Sequence, residues 1–406
     1  MKICLLSDSY PPNIIGGAGR VVYLLAQGLN KRGHKVVIIT TSQSEVKRKK
    51  SIESGIIVYR LYNSYPSILR HYISLANPLT LLRINSILRL EKPQVIHAHN
   101  IHQHLSYASL LIARNHSSDV LFTAHDTMSY TYGKQFKPFS VASSKDSIKY
   151  KISWLEQWRS QLLSYNPLRN TTIKKILGTC KEVVAVSRCL AKALSQNSIP
   201  VSKVIHNGMD LHPKLEINTP QISNKISSKT KIILLAGRIH PLKGASLALK
   251  YLKSINLENV LLVFAGAINN HTKVLKREAH RLGIANRIVF TGWLKQPELQ
   301  WWYQRCSVVI TPSIYLDPFN LTNLEAMLQK KPVVGSCFGG IPEIVQDRVT
   351  GYIRDPRDIK VYAKAINTLL NSPKLSLKMG RAGFARANNL FTLEKQITAY
   401  EKLYKQ

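Results

Sequence analysis

The sequence predicts an α/β protein built as two Rossmann-like domains. Three observations predict it. The chain has 406 residues, beyond the size at which a single hydrophobic core keeps growing. Short β-branched runs without polar alternation recur along it, as expected of parallel strands buried on both faces. Segments with helical apolar spacing lie between these runs, and a strand–helix rhythm of that kind winds into a layered α/β sheet. A polar stretch separates two runs of this rhythm.

The first domain is assigned to residues 1–212. Its strands are read at Lys2–Leu6, Lys35–Thr40, Ile56–Leu61, Val95–Ala98, Val120–Thr123, Val183–Val186 and Lys203–His206. Between the first two, Arg20–Lys31 carries an apolar face of Val21, Val22, Leu24, Leu25 and Leu29, and Gly33 supplies a stop. Residues 143–177 interrupt the rhythm. They are rich in Lys and Arg and carry Tyr150, Trp154, Trp158 and Tyr165. Leu155, Trp158, Leu162 and Tyr165 recur at helical spacing, which reads as an insertion helix packed on the domain; its aromatic anchors and basic flanks also suit an anionic lipid surface or acceptor recognition. Residues 213–230 have linker composition. The second domain, 231–406, resumes with strands at Lys231–Ala236, Val260–Ala265, Arg287–Thr291, Ser307–Thr311 and Pro332–Gly335. A last helical stretch, about Leu393–Tyr404, is amphipathic enough to pack on either domain.

Composition narrows the class. Hydrophobic residues make up 45% and charged residues 19%, the mix of a folded globular chain. No apolar run approaches the roughly 20 residues of a spanning helix, and the apolar run after Met1 is short enough to be a first strand rather than a signal peptide. The expected location is therefore cytoplasmic, extending at most to the inner face of a membrane. Five scattered cysteines form no Cys-x-x-Cys pair, so neither a disulfide framework nor a zinc site is expected. Lys and Arg number 57 against 22 Asp and Glu, a net charge of +35. Such a field attracts nucleic acid, anionic lipid or phosphorylated small molecules. The charge is spread over the whole chain, and the knot Lys47–Lys50 reads as a solvated loop.

Three motifs carry chemistry. Gly237-Arg238-Ile239-His240-Pro241-Leu242-Lys243-Gly244 directly follows a strand and precedes a helix. Helix N-termini present unpaired N–H groups and positive dipole, a phosphate-binding geometry, and Arg238 and Lys243 add two cations. The second motif, Asp317-Pro318-Phe319-Asn320-Leu321-Thr322-Asn323-Leu324-Glu325, sets two carboxylates eight positions apart. With a helix starting near Leu321, the N–H groups of Asn320, Leu321 and Thr322 aim at one spot, Asp317 lies at its mouth, and Glu325 lies a turn further on. Carboxylates accept hydrogen bonds from sugar hydroxyls. Alternatively, Asp317 caps the helix and Glu325 pairs with a cation. The third motif, Gly339-Gly340-Ile341-Pro342-Glu343, offers close backbone approach to a ligand, or a plain turn before a helix.

In these three motifs the chain resembles glycosyltransferase family 4, a retaining family of GT-B fold with a Gly-Arg…Lys-Gly loop, a Glu-x7-Glu motif and a Gly-Gly-x-Pro-Glu turn in this order. The resemblance reaches the first half through Pro11-Pro12 with Gly16-Gly17, Val95–His99, Thr123-Ala124-His125-Asp126, Val186-Ser187-Arg188 and His206–Asp210. It implies two domains facing across a cleft. It implies that Arg238 and Lys243 grip the donor diphosphate, that Glu325 holds the ribose, and that Asp317 with the Asn320 and Leu321 N–H groups meets sugar and phosphate. From the first domain, Gly17 would border the phosphate, His125 would reach the sugar near the reacting carbon, His99 would line the cleft, and Asp126 would orient His125 or cap the next turn. Two positions depart from the family: Asp317 where Glu is commoner, and Asn320 where Gly is usual. Both fall where the sugar would lie.

The expected activity is transfer of a sugar, with retention, from a nucleotide-diphosphate donor to a hydroxyl on a glycan or lipid-linked acceptor in cell-surface polysaccharide or glycolipid assembly. Neither a cofactor nor a metal is expected, nor a nucleic-acid partner. Three other readings are weaker. A same-fold epimerase or hydrolase would need no acceptor. A polyanion-binding protein would use the charge alone, but no nucleic-acid module is legible. Gly17-Ala18-Gly19 lacks the third glycine of a dinucleotide fingerprint, and the histidine-dense run His97–His104 has no Cys or acidic ligand beside it.

Overall fold

The structure, a computed structural model, describes residues 1–12, 16–42, 50–133, 149–209 and 226–406. Most of the 213–230 linker, nearly all of the Lys47–Lys50 knot and the first residues of the 143–177 insertion lie outside the described residues. The chain divides into two compact units, Met1–Asp210 with Thr392–Gln406, and Leu211–Phe391.

The first unit is an eight-stranded sheet. Its strands are β1 (Lys2–Leu6), β2 (Lys35–Ser42), β3 (Lys50–Glu53), β4 (Ile56–Tyr62), β5 (Val95–His99), β6 (Asp119–Ala124), β7 (Glu182–Ala185) and β8 (Lys203–Val204), in the order β3-β4-β2-β1-β5-β6-β7-β8. All pairs are parallel except β3–β4. The second unit is an all-parallel sheet of six: β9 (Lys231–Ala236), β10 (Val260–Ala265), β11 (Ile288–Gly292), β12 (Val308–Thr311), β13 (Val333–Ser336) and β14 (Gly351–Arg354), ordered β11-β10-β9-β12-β13-β14. Both sheets are α/β layers of the expected kind. Residues Ile3–Leu6 and Val36–Ile39 are at most 2% exposed, so the continuous apolar runs do mark strands covered on both faces.

Two strands were not expected. β3 and β4 form a hairpin whose turn residues, Ser54 and Gly55, both have positive φ (50° and 82°), as a tight two-residue turn requires. The sequence Lys-Ser-Ile-Glu hid β3 because an edge strand is exposed and charged. β14 is also an edge strand and only partly buried. Conversely, the strand expected to reach His206 shortens to Lys203–Val204, both exposed.

The C-terminal helix Leu393–Lys405 belongs to the first unit. Leu393, Ile397, Tyr400, Leu403 and Tyr404 join a core with Ile3, Val22, Leu25 and Val95. Gly28 makes the room: a Cβ there would lie 2.1 Å from Ile397 Cδ1. Arg32 pairs with Glu394 and Glu401, and His34 Nε2 sits 2.8 Å from Glu401 Oε1.

The insertion corrects the expected packing face. Its helix, Trp154–Gln161, starts in a capping box of Ser153 and Glu156. Of the four residues expected on the buried face, Trp158 is 46% and Leu162 64% exposed. Arg169, a residue of the basic insertion, is fully buried. It donates to Met128 O (2.6 Å) and Thr131 O (3.0 Å), and its guanidinium lies 4.9 Å from the Tyr132 ring. Among the described residues, no helix is long and apolar enough to cross a membrane.

Candidate functional site

In the second unit the site begins where β9 ends. Gly237 has φ +113° and its N–H donates to Ala265 O at 2.9 Å. A Cβ on the neighbouring Gly266 would lie 1.9 Å from Gly237 O, so the two strand exits touch backbone to backbone. His240 Nδ1 then accepts the Leu242 N–H (3.1 Å) and starts a 3-10 turn, Pro241–Lys243. Gly244 ends that turn at φ +78°, where a Cβ would meet Pro312 O at 2.2 Å. The helix Ala245–Lys253 follows. Gly244 thus answers to a backbone crossing, and Gly237 to its positive φ, with only Thr322 Oγ1 within 4.0 Å of where its Cβ would be.

These crossings aim Lys243 at Asp317. The Nζ–Oδ2 distance is 2.7 Å, and the ammonium lies 5.3 Å from the Tyr315 ring centre. Burial opposes the charge on Lys243, but the Asp317 carboxylate and Tyr315 outweigh it and hold the lysine above its ordinary range. The same Asp317 oxygen accepts from Ser313 Oγ (3.1 Å) and Asn320 Nδ2 (2.9 Å). Asp317 is 4% exposed. Arg238, by contrast, is exposed and makes no ion pair or side-chain hydrogen bond among the described residues. The His240 pKa is lowered by burial first and then by Arg238, His271 and Lys243, a sign of concentrated positive charge.

The helix Leu321–Leu328 begins where expected, and Asn320 caps it. Its Oδ1 accepts the Thr322 N–H at 3.1 Å while its Nδ2 holds Asp317. Two readings change. Asp317 is not the cap, and of the three N–H groups expected to converge, that of Thr322 is already engaged. Among the described residues, those of Asn320 and Leu321 show no hydrogen bond. Glu325 lies one turn on, and its Oε2 accepts from Tyr303 Oη at 2.6 Å. Tyr303, from the helix Gln296–Arg305, carried no sequence signal. Thr322 Oγ1 donates to Ala236 O at 3.5 Å and so ties this helix start to the Gly237 loop.

The glycine pair also changes meaning. Gly339 has φ +72°, a Cβ on it would lie 2.2 Å from Asp317 O, and the Gly340 N–H donates to that oxygen at 2.8 Å. The close approach predicted for a ligand is made to the Asp317 backbone. The third motif thus holds the second in place.

In the first unit, Gly16 (φ +83°) leads into the helix Gly17–Lys31, with Gly16 and Gly17 exposed at its N-terminus. Gly19 lies against the loop after β1, where a Cβ would meet Ser9 Oγ at 2.7 Å. His99 ends β5 and His125 follows β6. Their Nδ1 and Nε2 atoms are 2.9 Å apart. His97 stacks on His99 at 4.0 Å between ring centres, with Nδ1 2.7 Å from Tyr404 Oη and Nε2 2.7 Å from Thr123 Oγ1. Burial, with the neighbouring imidazoles, lowers the His97 pKa to about 3 and that of His99 well below 6.5. Neither would be charged at neutral pH. His99, expected to line the cleft, is fully buried and stands behind His125. Asp126 caps the next turn, accepting the Met128 N–H at 2.9 Å, and its other oxygen is 3.2 Å from His102 Nε2.

Sequence reasoning missed Asp8. Its carboxylate accepts the N–H groups of Gln103 (2.7 Å), His104 (3.1 Å) and Leu105 (2.8 Å) and fixes the loop leaving β5. Its place just past the end of β1 was the available signal. Arg169, described above, does the same for the loop leaving β6. Among the described residues, no three His, Cys, Asp or Glu side chains gather as metal ligands would.

Comparison with known proteins follows this division. Residues 15–212 match the model of Glycosyltransferase Family 4, and residues 218–386 that of Glycosyl transferases group 1. An uncharacterized glycosyltransferase of Methanocaldococcus jannaschii is 28% identical over 382 residues, which span 91% of this chain and 89% of that protein. The fold is that of sucrose-phosphate synthase from Thermosynechococcus elongatus (TM-score 0.77, 20% identity, 100% of this chain and 98% of that one). It is also that of Anabaena HepE in complex with UDP-glucose (TM-score 0.70, 20% identity, 100% of both chains).

Proposed function

Since the chain belongs to the group 1 glycosyltransferases of family 4, on a GT-B fold, we propose that it moves a sugar from a nucleotide-diphosphate donor to a hydroxyl acceptor with retention at the anomeric carbon. The observation that carries the proposal is the Lys243–Asp317 pair, 2.7 Å long, beside the exposed Arg238 and the N-terminus of the helix Leu321–Leu328. Cleavage of the anomeric C–O bond leaves a diphosphate, and cations fixed beforehand stabilise the charge that develops there. Arg238 and Lys243 take this role, with the N–H groups of Asn320 and Leu321. Glu325 accepts hydrogen bonds from the ribose. The HepE complex with UDP-glucose supports a donor of this chemical class.

Asp317 reads the transferred sugar through the part of its carboxyl group that Lys243, Ser313 and Asn320 leave available. In the first unit, His99 positions His125, their Nδ1 and Nε2 atoms 2.9 Å apart, and Asp126 holds the turn that follows. No side chain of these motifs is placed as a nucleophile, so the leaving phosphate takes up the acceptor proton on the same face. With two cations on the diphosphate, the reading needs no metal. The acceptor is a glycan or lipid-linked sugar of cell-surface assembly.

The test is a panel of UDP-, GDP- and ADP-sugars, first by melting temperature and then by transfer to a hydroxyl acceptor. One donor class should raise the melting temperature, and the product should keep the donor's anomeric configuration by NMR. Lys243→Ala should lose at least about tenfold in kcat/KM, since a charge-assisted contact to phosphate is worth about 1.5–3 kcal/mol. Full activity in that variant, an inverted product, or free sugar alone would overturn the reading.

A further inference from the structure

The insertion helix Trp154–Gln161 is turned inside out. Its amides face the protein: Gln157 Nε2 donates to Tyr130 O at 3.1 Å, and Gln161 Oε1 accepts from His71 Nε2 at 3.1 Å. Trp154, Trp158 and Leu162 follow one another at four-residue spacing and are 68%, 46% and 64% exposed, with Leu163 beside them at 88%. A helix that only packed on the domain would show the opposite arrangement.

A second segment continues this surface. His71 draws the short helix Arg70–Ile73 against Gln161, and Tyr72 Oη donates to Tyr165 O at 3.4 Å. The turn Ser67–Leu69 lies against the turn Leu162–Ser164, which adds Ile68 (53% exposed) and Tyr72 (48%). Segments about 90 residues apart in sequence therefore meet in one apolar face. Single exposed apolar residues are ordinary; a contiguous group is not.

Charge selects among the possible occupants. No Asp or Glu occurs between Glu53 and Glu91, and Arg70 stands on the second segment beside Tyr72. On and just before the helix, Lys149, Lys151 and Arg159 are exposed. The one acid from 149 to 181 is Glu156, held by the Ser153 N–H (2.8 Å) and hydroxyl (2.9 Å). RNA would engage these cations but has no use for bare Leu162, Leu163 and Ile68. An anionic bilayer engages both: aliphatic side chains enter the acyl boundary, indole and phenol rings settle at headgroup level, and Lys and Arg meet the headgroups. We propose that this face docks the first unit on an anionic lipid bilayer. The proposal deepens the reading of a lipid-linked acceptor while using none of the donor-site residues.

The test uses the full chain with vesicles of equimolar phosphatidylglycerol and phosphatidylcholine, against pure phosphatidylcholine. The protein should co-sediment with the mixed vesicles at low salt, with a blue shift in tryptophan emission, and should leave the neutral ones in solution. Two variants, Trp158→Ser/Leu162→Ser/Leu163→Ser and Lys149→Glu/Lys151→Glu/Arg159→Glu, should each bind at least about tenfold more weakly. Both should keep their circular dichroism and nucleotide-sugar affinity, because the substituted side chains are exposed. Wild-type protein that stays in solution, vesicle binding untouched in the serine variant, or tight RNA capture that the same variants abolish would overturn the proposal. Donor affinity is measured on the same samples, so a failed donor reading is seen separately.

Discussion

Lys243 and Asp317 are partners before they are anything else. One acidic oxygen gathers an ammonium, a hydroxyl and an amide, all within 3.1 Å. Asp317→Asn keeps the shape and removes the charge, leaving a largely covered lysine without its counter-ion. Breaking a pair of this kind costs about 3 kcal/mol, and denaturant unfolding should show a loss of that order together with weaker transfer. Asn320 is a milder case. Asn320→Ala removes the cap of the helix Leu321–Leu328 at about 1 kcal/mol and releases the Thr322 N–H that its Oδ1 holds. If Asn320 helps set sugar preference, the ratio of kcat/KM between two donor sugars should shift in this variant; an unchanged ratio would confine it to capping. At this scale the motifs were legible: Lys243, Asp317, Asn320 and Glu325 were each singled out from the sequence. Their mutual contacts were not. A motif states which residues are present, whereas Asp317 answering to Lys243, 74 positions away, depends on how β9 and β12 are paired.

The C-terminal helix Leu393–Lys405 shows the same division between elements. Its apolar face was visible in the sequence, but amphipathicity says only that a helix is covered, not by what. The answer lies in Gly28, Gly208 and Arg32. A Cβ on Gly208 would lie 2.3 Å from Thr392 O, so Gly208→Val should lift the helix start and lower the melting temperature of the first unit. Ile397→Ala should cost about 2–4 kcal/mol, the range for a large-to-small change in a packed core. Hydrogen exchange should report the loss in the sheet β1–β8 and spare β9–β14. Equal loss in both sheets would contradict the assignment of this helix to one unit. The insertion helix was misjudged for a related reason: periodicity located its apolar stripe but could not say whether the stripe faced protein or solvent, and Gln157 and Gln161 decided it.

For the molecule as a whole, buried neutral histidines tie stability to pH. Burial lowers His71 to about 4 and His97 to about 3. Their folded pKa values lie below the unfolded value near 6.5, so the unfolded chain binds protons first as pH falls. Stability should be level above about pH 6.5 and decline below it, by up to about 1.4 kcal/mol per pH unit for each such histidine. The decline should continue until pH nears 4 for His71 and 3 for His97. Urea midpoints at pH 7, 6 and 5 would show the trend, and His97→Gln should flatten it relative to wild type. A midpoint that rises on acidification would refute this account.

The return of residues 392–406 to the first unit bears on how the protein is made. A ribosome emits β1–β8 first, then the whole of the second unit, and only afterwards Tyr400 and Tyr404, which sit against Thr123 and His97. Until those residues emerge, the sheet of the first unit waits with part of its core uncovered, while β9–β14 have already been made. Of the two units, the one begun before the other is completed after it.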